Sequence, residues 1–169
     1  MATDDELAKW QQWVDAIWHD IANISNTLRW LSEVRGMARS VAEQDPSVPG
    51  NFFHWLGLVA ARDVAVGIRR QIDSDSRSIS LMRLLEEIRD NCGLLTREAY
   101  VASYPEEMRS WGAENFNQYG VAHLDPQRVI DNIDILRNGT EAIRKYVNKR
   151  IAHYDKLKKL KLKNKIFIK

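Results

Sequence analysis

The feature that most constrains this chain is an uninterrupted apolar stripe with helical spacing near its N-terminal end. Apolar residues recur there at alternating steps of three and four, as on one face of an α-helix, at Leu7, Trp10, Val14, Ile17, Ile21, Ile24, Leu28 and Leu31. No proline or glycine precedes Gly36. The pattern predicts one helix from about residue 4 to the low forties, with a break near Gly36 as the alternative. An unbroken helix would span roughly 60 Å, so we expect it to project from the domain or to pack against a partner chain.

Two further helices are indicated by the segments that follow. Residues 45–50 contain two prolines and a glycine, which end the first helix. A second helix is predicted from Asn51 to Ile72. The short polar side chains of residues 73–76 can cap a third helix, which is predicted from Ile79 into the nineties.

The last helix has the clearest start signal in the chain. Residues 100–124 are rich in Tyr, Gly and Asn, and we expect a loop with short helical pieces there. Asp125 then suits the N-cap and Pro126 the first helical position. No segment has the period-two pattern of a β-strand. The predicted fold class is therefore all-α, a bundle of four to five helices with a long N-terminal helix.

The composition indicates one globular domain. The 169 residues are 44% hydrophobic and 28% charged, which is ordinary for a globular protein. The single cysteine, Cys92, excludes an internal disulfide and a multi-cysteine metal site, and it favours a cytoplasmic protein. The acidic N-terminus does not resemble a secretory signal, and no apolar run approaches the roughly 18 residues of a membrane span. We expect residues 1–155 to form a single helical domain and residues 156–169 a basic tail.

Charge is distributed very unevenly along the chain. Residues 144–169 contain eleven Lys and Arg and one acid, a net charge of +10, whereas residues 1–143 have a net charge of −8. This polarity favours an anionic partner at the C-terminal end, either a nucleic acid or a membrane surface. The alternative is a solvated terminal segment.

Polar and basic residues gather at the end of the last predicted helix. Since residues three and four apart share a helix face, Lys149 and Arg150 flank His153, and Arg144 lies further back. Histidine transfers protons near neutral pH, and a nearby cation can hold a phosphate. Because the 2′-hydroxyl of RNA can supply the nucleophile, these groups are sufficient for metal-free cleavage. The alternative is a surface histidine on a basic helix end.

Two groups of residues, in the order and at the spacing seen here, are characteristic of a known superfamily. The first group is Asp125, Pro126, Asp131, Leu136, Asn148, Lys149, Ile151, Ala152, His153 and Asp155. The second runs from Val66 to Asp73 and continues at Ser80-Leu81 and Leu84-Leu85. With these residues, the segment 125–155 resembles the C-terminal helices of the HEPN superfamily (higher eukaryotes and prokaryotes nucleotide-binding domains), and most of all its AbiU2-like branch in bacterial abortive-infection proteins. The resemblance implies a HEPN-like domain.

The superfamily's catalytic motif is an arginine, a polar residue that is often Asn, and a histidine a few positions later. The resemblance implies a homodimer in which two such motifs share one cleft and cut RNA without metal. Asn148 and His153 fit the motif, but Val147 occupies the arginine position, and valine cannot bind phosphate. Arg144 or Arg150 would have to replace the arginine. Otherwise Asn148 and His153 are structural residues.

Other basic residues are candidates for RNA contact. Arg69 and Arg70 either form a local salt-bridge cluster with Asp73 or supply the missing cation beside His153. The basic tail is either an RNA-binding arm, which gains affinity by neutralising phosphates, or a truncated end. The predicted RNA-binding residues are Lys149, Arg69, Arg70, Lys156, Lys158 and Lys159.

Three hypotheses follow for the function. The first is a bacterial defence or toxin-type protein that acts on RNA as a homodimer, with His153 as general acid and base. The second is a catalytically inactive HEPN-like module that binds RNA, nucleotide or a partner protein, and Val147 favours it. The third is a helical scaffold. We expect no cofactor and no metal, and a cognate antitoxin or defence partner is a further candidate.

Overall fold

The computed structural model describes residues 2–45, 50–116 and 122–152, with the backbone alone at 2–4 and 150–152. Within these ranges the chain forms helices joined by short turns, and the only β-type pairing is an isolated bridge between Thr96 and His123. The helices are α1 (Ala2–Gln44), α2 (Asn51–Gln71), α3 (Leu81–Asp90), α4 (Arg97–Ala102), α5 (Arg109–Phe116) and α6 (Pro126–Tyr146), followed by a π-helical turn (Val147–Ala152). The all-α prediction is confirmed: four longer helices form the bundle, and two short ones fill the segment expected to be irregular.

The first helix continues through Gly36 without a break, so the prediction of one long helix is confirmed. Its 43 residues correspond to a length of about 65 Å. The N-terminal half packs on α3 and the C-terminal half on α2.

The C-terminal half of α1 and the whole of α2 form an antiparallel hairpin. Residues of the two helices meet in reverse order, at the pairs Asp20 with Gln71, Ile24 with Gly67, Thr27 with Asp63, and Leu31 with Gly57. The approach is closest at Gly67, where a Cβ atom would lie 2.8 Å from Cγ1 of Ile24. A larger residue at Gly67 would therefore push the helices apart.

The N-terminal half of α1 is held to α3 by apolar packing and by one half-buried carboxylate. Trp10 and Ile17 pack with Leu84 in a buried cluster. The Trp10 indole N–H donates to the Glu87 carboxylate over 3.1 Å, and Lys9 lies 2.7 Å from the same group. Burial alone would raise the pKa of Glu87, but the hydrogen bonds from Lys9 and Trp10 hold that pKa below its ordinary value.

A second buried cluster joins α3 to α6 and is made of Met82, Cys92, Val129 and Ile133. An ion pair of 3.0 Å between Arg137 and Glu86 supports the same contact. These contacts lie in the first half of α6, so the start of the helix is fixed to the bundle.

The start of α3 differs from the prediction. The helix begins at Leu81 rather than Ile79, and its cap is Ser80 rather than a residue from 73–76. The Ser80 hydroxyl accepts from the Arg83 N–H over 3.1 Å and donates to the Asp73 carbonyl. Ser80 prevails over the earlier candidates because it is fully buried, whereas Ser74 and Ser76 are exposed to water.

Candidate functional site

The last helix places the candidate residues. Asp125 caps it by accepting the Gln127 N–H over 2.9 Å, and Pro126 takes the first position, as predicted. Val129, Ile133 and Val147 are all buried on one side of this helix and its continuation. Their burial fixes the rotation of α6, so residues on the opposite side of the helix, such as Asp131 and Ile135, face water.

The helix changes its hydrogen-bonding pattern where the candidate motif begins. Val147–Ala152 forms a π-helical turn, in which hydrogen bonds join residues five apart instead of four. The turn contacts α2 and is the last described element of the chain. Such turns occur often at functional sites.

The residue in the family's arginine position belongs to the core. Val147 is only 6% exposed, whereas the next two residues, Asn148 and Lys149, are exposed. The valine side chain lies in the core and cannot contact a phosphate. An apolar residue suits this buried position.

Arg144 lies one helical turn before Asn148 and is exposed, so the two share a side of the helix. Arg144 has no ion-pair partner within the described part of the chain. Lys145 differs, because its amino group lies 2.7 Å from the Glu141 carboxylate and hydrogen-bonds to it, which lowers the pKa of Glu141. Arg144 and Asn148 therefore lie near each other along the helix, and Lys149 is the next exposed residue.

Arg69 and Arg70 are both engaged in ion pairs on α2. Arg69 lies 3.4 Å from Asp73, one turn later, as the salt-bridge interpretation predicts. Arg70 pairs instead with Asp20 of α1 at 3.2 Å, so it also ties the hairpin together. Contact of either arginine with RNA stays a prediction.

Several predicted site residues lie outside the described residues. These are His153, Lys156, Lys158 and Lys159, together with the side chain of Arg150. Their predicted roles stay predictions.

A cavity of about 770 Å³ lies near the other end of α6 and is lined in part by Arg97, Arg109 and His123. Sequence spacing gave no sign of it, because the two arginines come from different short helices, Arg109 within the segment predicted to be irregular and Arg97 just before it. Within the described ranges, no group of three His, Cys, Asp or Glu side chains is placed to hold a metal ion. None of the helices described here is long and apolar enough to cross a membrane.

The model of one protein family, HEPN_AbiU2 (AbiU2), matches residues 7–166. The chain belongs to this family. The AbiU2 match begins on α1 and includes the whole candidate motif and residues 156–166 of the basic tail. Searches of curated proteins and of solved structures found no match to the chain.

Proposed function

We propose that this AbiU2-family chain is an abortive-infection module that acts on RNA in the cytoplasm, at the C-terminal end of α6. The observation that supports this proposal is the π-helical turn Val147–Ala152, which begins where the motif begins. Arg144 is exposed just before the turn, and Asn148 and Lys149 are exposed within it. A helical end with two cations and a polar side chain fits a phosphodiester, which is anionic and accepts hydrogen bonds.

The proposed activity is endoribonuclease cleavage without a metal. In this mechanism His153 takes the proton of the RNA 2′-hydroxyl as that oxygen attacks the phosphorus, and it returns a proton to the leaving 5′-oxygen. Arg144 takes the place of the missing arginine and stabilises the charge on the phosphate, with Arg150 as the alternative cation. In the arrangement that the family resemblance implies, two copies place their motifs in one composite cleft.

The basic tail would hold the RNA near this site. Lys156, Lys158 and Lys159 follow His153 within six residues. Each lysine that neutralises a phosphate releases a counterion, so affinity should fall as salt rises. Arg69 and Arg70 are secondary candidates, since each would have to exchange its carboxylate partner for a phosphate.

A second candidate function is a catalytically inactive module that binds RNA, nucleotide or a partner protein such as an antitoxin. The burial of Val147 favours it, because a core valine cannot bind phosphate. Binding of RNA is common to the first function and to this one, whereas cleavage distinguishes them.

The experiment that tests RNA binding at this end of the molecule is fluorescence anisotropy with a labelled single-stranded RNA at several salt concentrations. We expect Arg144→Ala and Lys149→Ala each to weaken binding and to reduce the salt slope by about 0.7, the contribution of one phosphate contact. Arg137→Ala is the matched control, because that arginine lies on the same helix but pairs with Glu86. Equal slopes for wild type, Arg144→Ala and Lys149→Ala would contradict the proposed site.

A further inference from the structure

The α1–α2 hairpin has one apolar face that stays exposed in the described structure. Six large side chains, between 37% and 60% exposed, form this outer face: Trp30 and Met37 on α1, and Phe52, Trp55, Val59 and Val66 on α2. Large apolar side chains this exposed are seldom grouped on one face of a monomer unless the face contacts something.

On α2 the four residues follow helical spacing. Phe52, Trp55 and Val59 are separated by steps of three and four, and Val66 lies two turns beyond. The rings of Phe52 and Trp55 stand 6.2 Å apart between centroids. Ala65, which is buried, points to a different side of the helix. This apolar stripe is therefore distinct from the one by which α2 packs in the bundle.

The residues on α1 extend the same face. Trp30 and Met37 are seven residues apart and so share one side of α1. Since Thr27 meets Asp63 and Leu31 lies beside Gly57, the antiparallel register sets Trp30 level with Val59. In the same register, Met37 lies level with the first turn of α2, which contains Phe52. The outer face is thus a continuous surface across both helices.

The size of the outer face matches that of a protein interface. Its three aromatic side chains are 57–60% exposed and contribute roughly 260–430 Å² per chain, taking about 150–250 Å² for each, and Met37, Val59 and Val66 add to this area. A stable interface of standard size buries about 800 Å² per partner, of which a little more than half is apolar. The outer face would supply that apolar part without help from other surfaces.

We propose that the occupant of the outer face is a second copy of this chain, with the two α2 helices antiparallel and a twofold axis passing near Val59. The stripe is self-complementary in this arrangement. Phe52 and Val66 are each seven residues from Val59, so each would meet the other in the second copy. Trp55 lies one turn before Val59 and Arg62 one turn after it, which sets a guanidinium against an indole ring across the axis.

The proposal goes beyond the proposed function, because the outer face is separate from the motif. Ala65 and Ile72 are buried on the side of α2 that faces the bundle, and the outer face lies on another side. A contact here leaves Arg144, Asn148 and Lys149 accessible. If two chains also pair through their motifs, as the family resemblance implies, the contact between outer faces would join two such dimers into a tetramer.

The first test measures the mass of the full chain in solution by light scattering after size-exclusion chromatography. We expect a dimer or tetramer whose mass is halved by Val59→Asp, with self-association weakened at least tenfold. Trp18→Asp is the control: it removes another exposed tryptophan of α1, outside the outer face, and should leave the mass unchanged. A monomeric wild type would contradict the proposal and leave the face to another protein, and an unchanged mass of the Val59→Asp protein would contradict it too.

The second test does not depend on weakening the contact. A Val59→Cys substitution places two thiols near the twofold axis, where they can form an intermolecular disulfide under mild oxidation. The native Cys92 does not compete, because it is buried and burial raises the pKa of its thiol. We expect covalent dimer from Val59→Cys and none from Trp18→Cys. If Val59→Cys and Trp18→Cys form the same amount of covalent dimer, the proposed axis is wrong, whether or not the protein binds RNA.

Discussion

Position 147 illustrates how one buried residue limits what the motif can do. Restoring the family's arginine by Val147→Arg would place a guanidinium among core side chains. We expect the free energy of unfolding to fall by about 3 kcal/mol or more, because the charge is left without a partner. The measurement is urea denaturation of the purified variant.

The matched control is the adjacent position. Asn148 is exposed, so Asn148→Arg adds the same charge where water can solvate it, and stability should change by less than about 0.5 kcal/mol. If Val147→Arg is as stable as Asn148→Arg, position 147 is not part of the core, and the explanation for the missing arginine is wrong.

At the scale of the helices, the start of α3 depends on one hydroxyl. Ser80→Ala removes the acceptor of the Arg83 N–H and should lower the free energy of unfolding by about 1–2 kcal/mol. Ser76→Ala tests the cap that the sequence first suggested, and there we expect a change of less than about 0.5 kcal/mol. Thermal denaturation of both variants decides between the two caps, and a larger effect at Ser76 would contradict the structure.

The elements differ in how far the sequence could predict them. The long stripe of α1 and the Asp125-Pro126 start of α6 were predictable, since spacing and capping act within one segment. The cap of α3 was not, because Ser80 competes with several similar residues and only tertiary burial selects it. The cavity beside Arg97 and Arg109 and the π-helical turn were also out of reach. The cavity does not follow from a local pattern, because it needs two short helices to meet.

For the whole molecule, the two exposed features lie on different parts of the bundle. The outer face of the hairpin is apolar and suits a second copy of the chain. The end of α6 is basic and suits RNA. Helix spacing in the sequence is enough to predict that Arg144 lies near Asn148. The outer face could not be predicted in this way, because it depends on the register between α1 and α2, and neither helix sequence alone specifies that register.

The most direct test of the central claim is cleavage of end-labelled tRNA and unstructured RNA in the presence of EDTA, with wild type beside His153→Ala. We predict that the wild type cuts RNA without metal and that the variant is at least about 100-fold slower, the usual contribution of a general acid or base. Absence of cleavage by both proteins would contradict the ribonuclease and leave the inactive binding module as the better account. Equal cleavage by both would show that His153 is not the proton carrier.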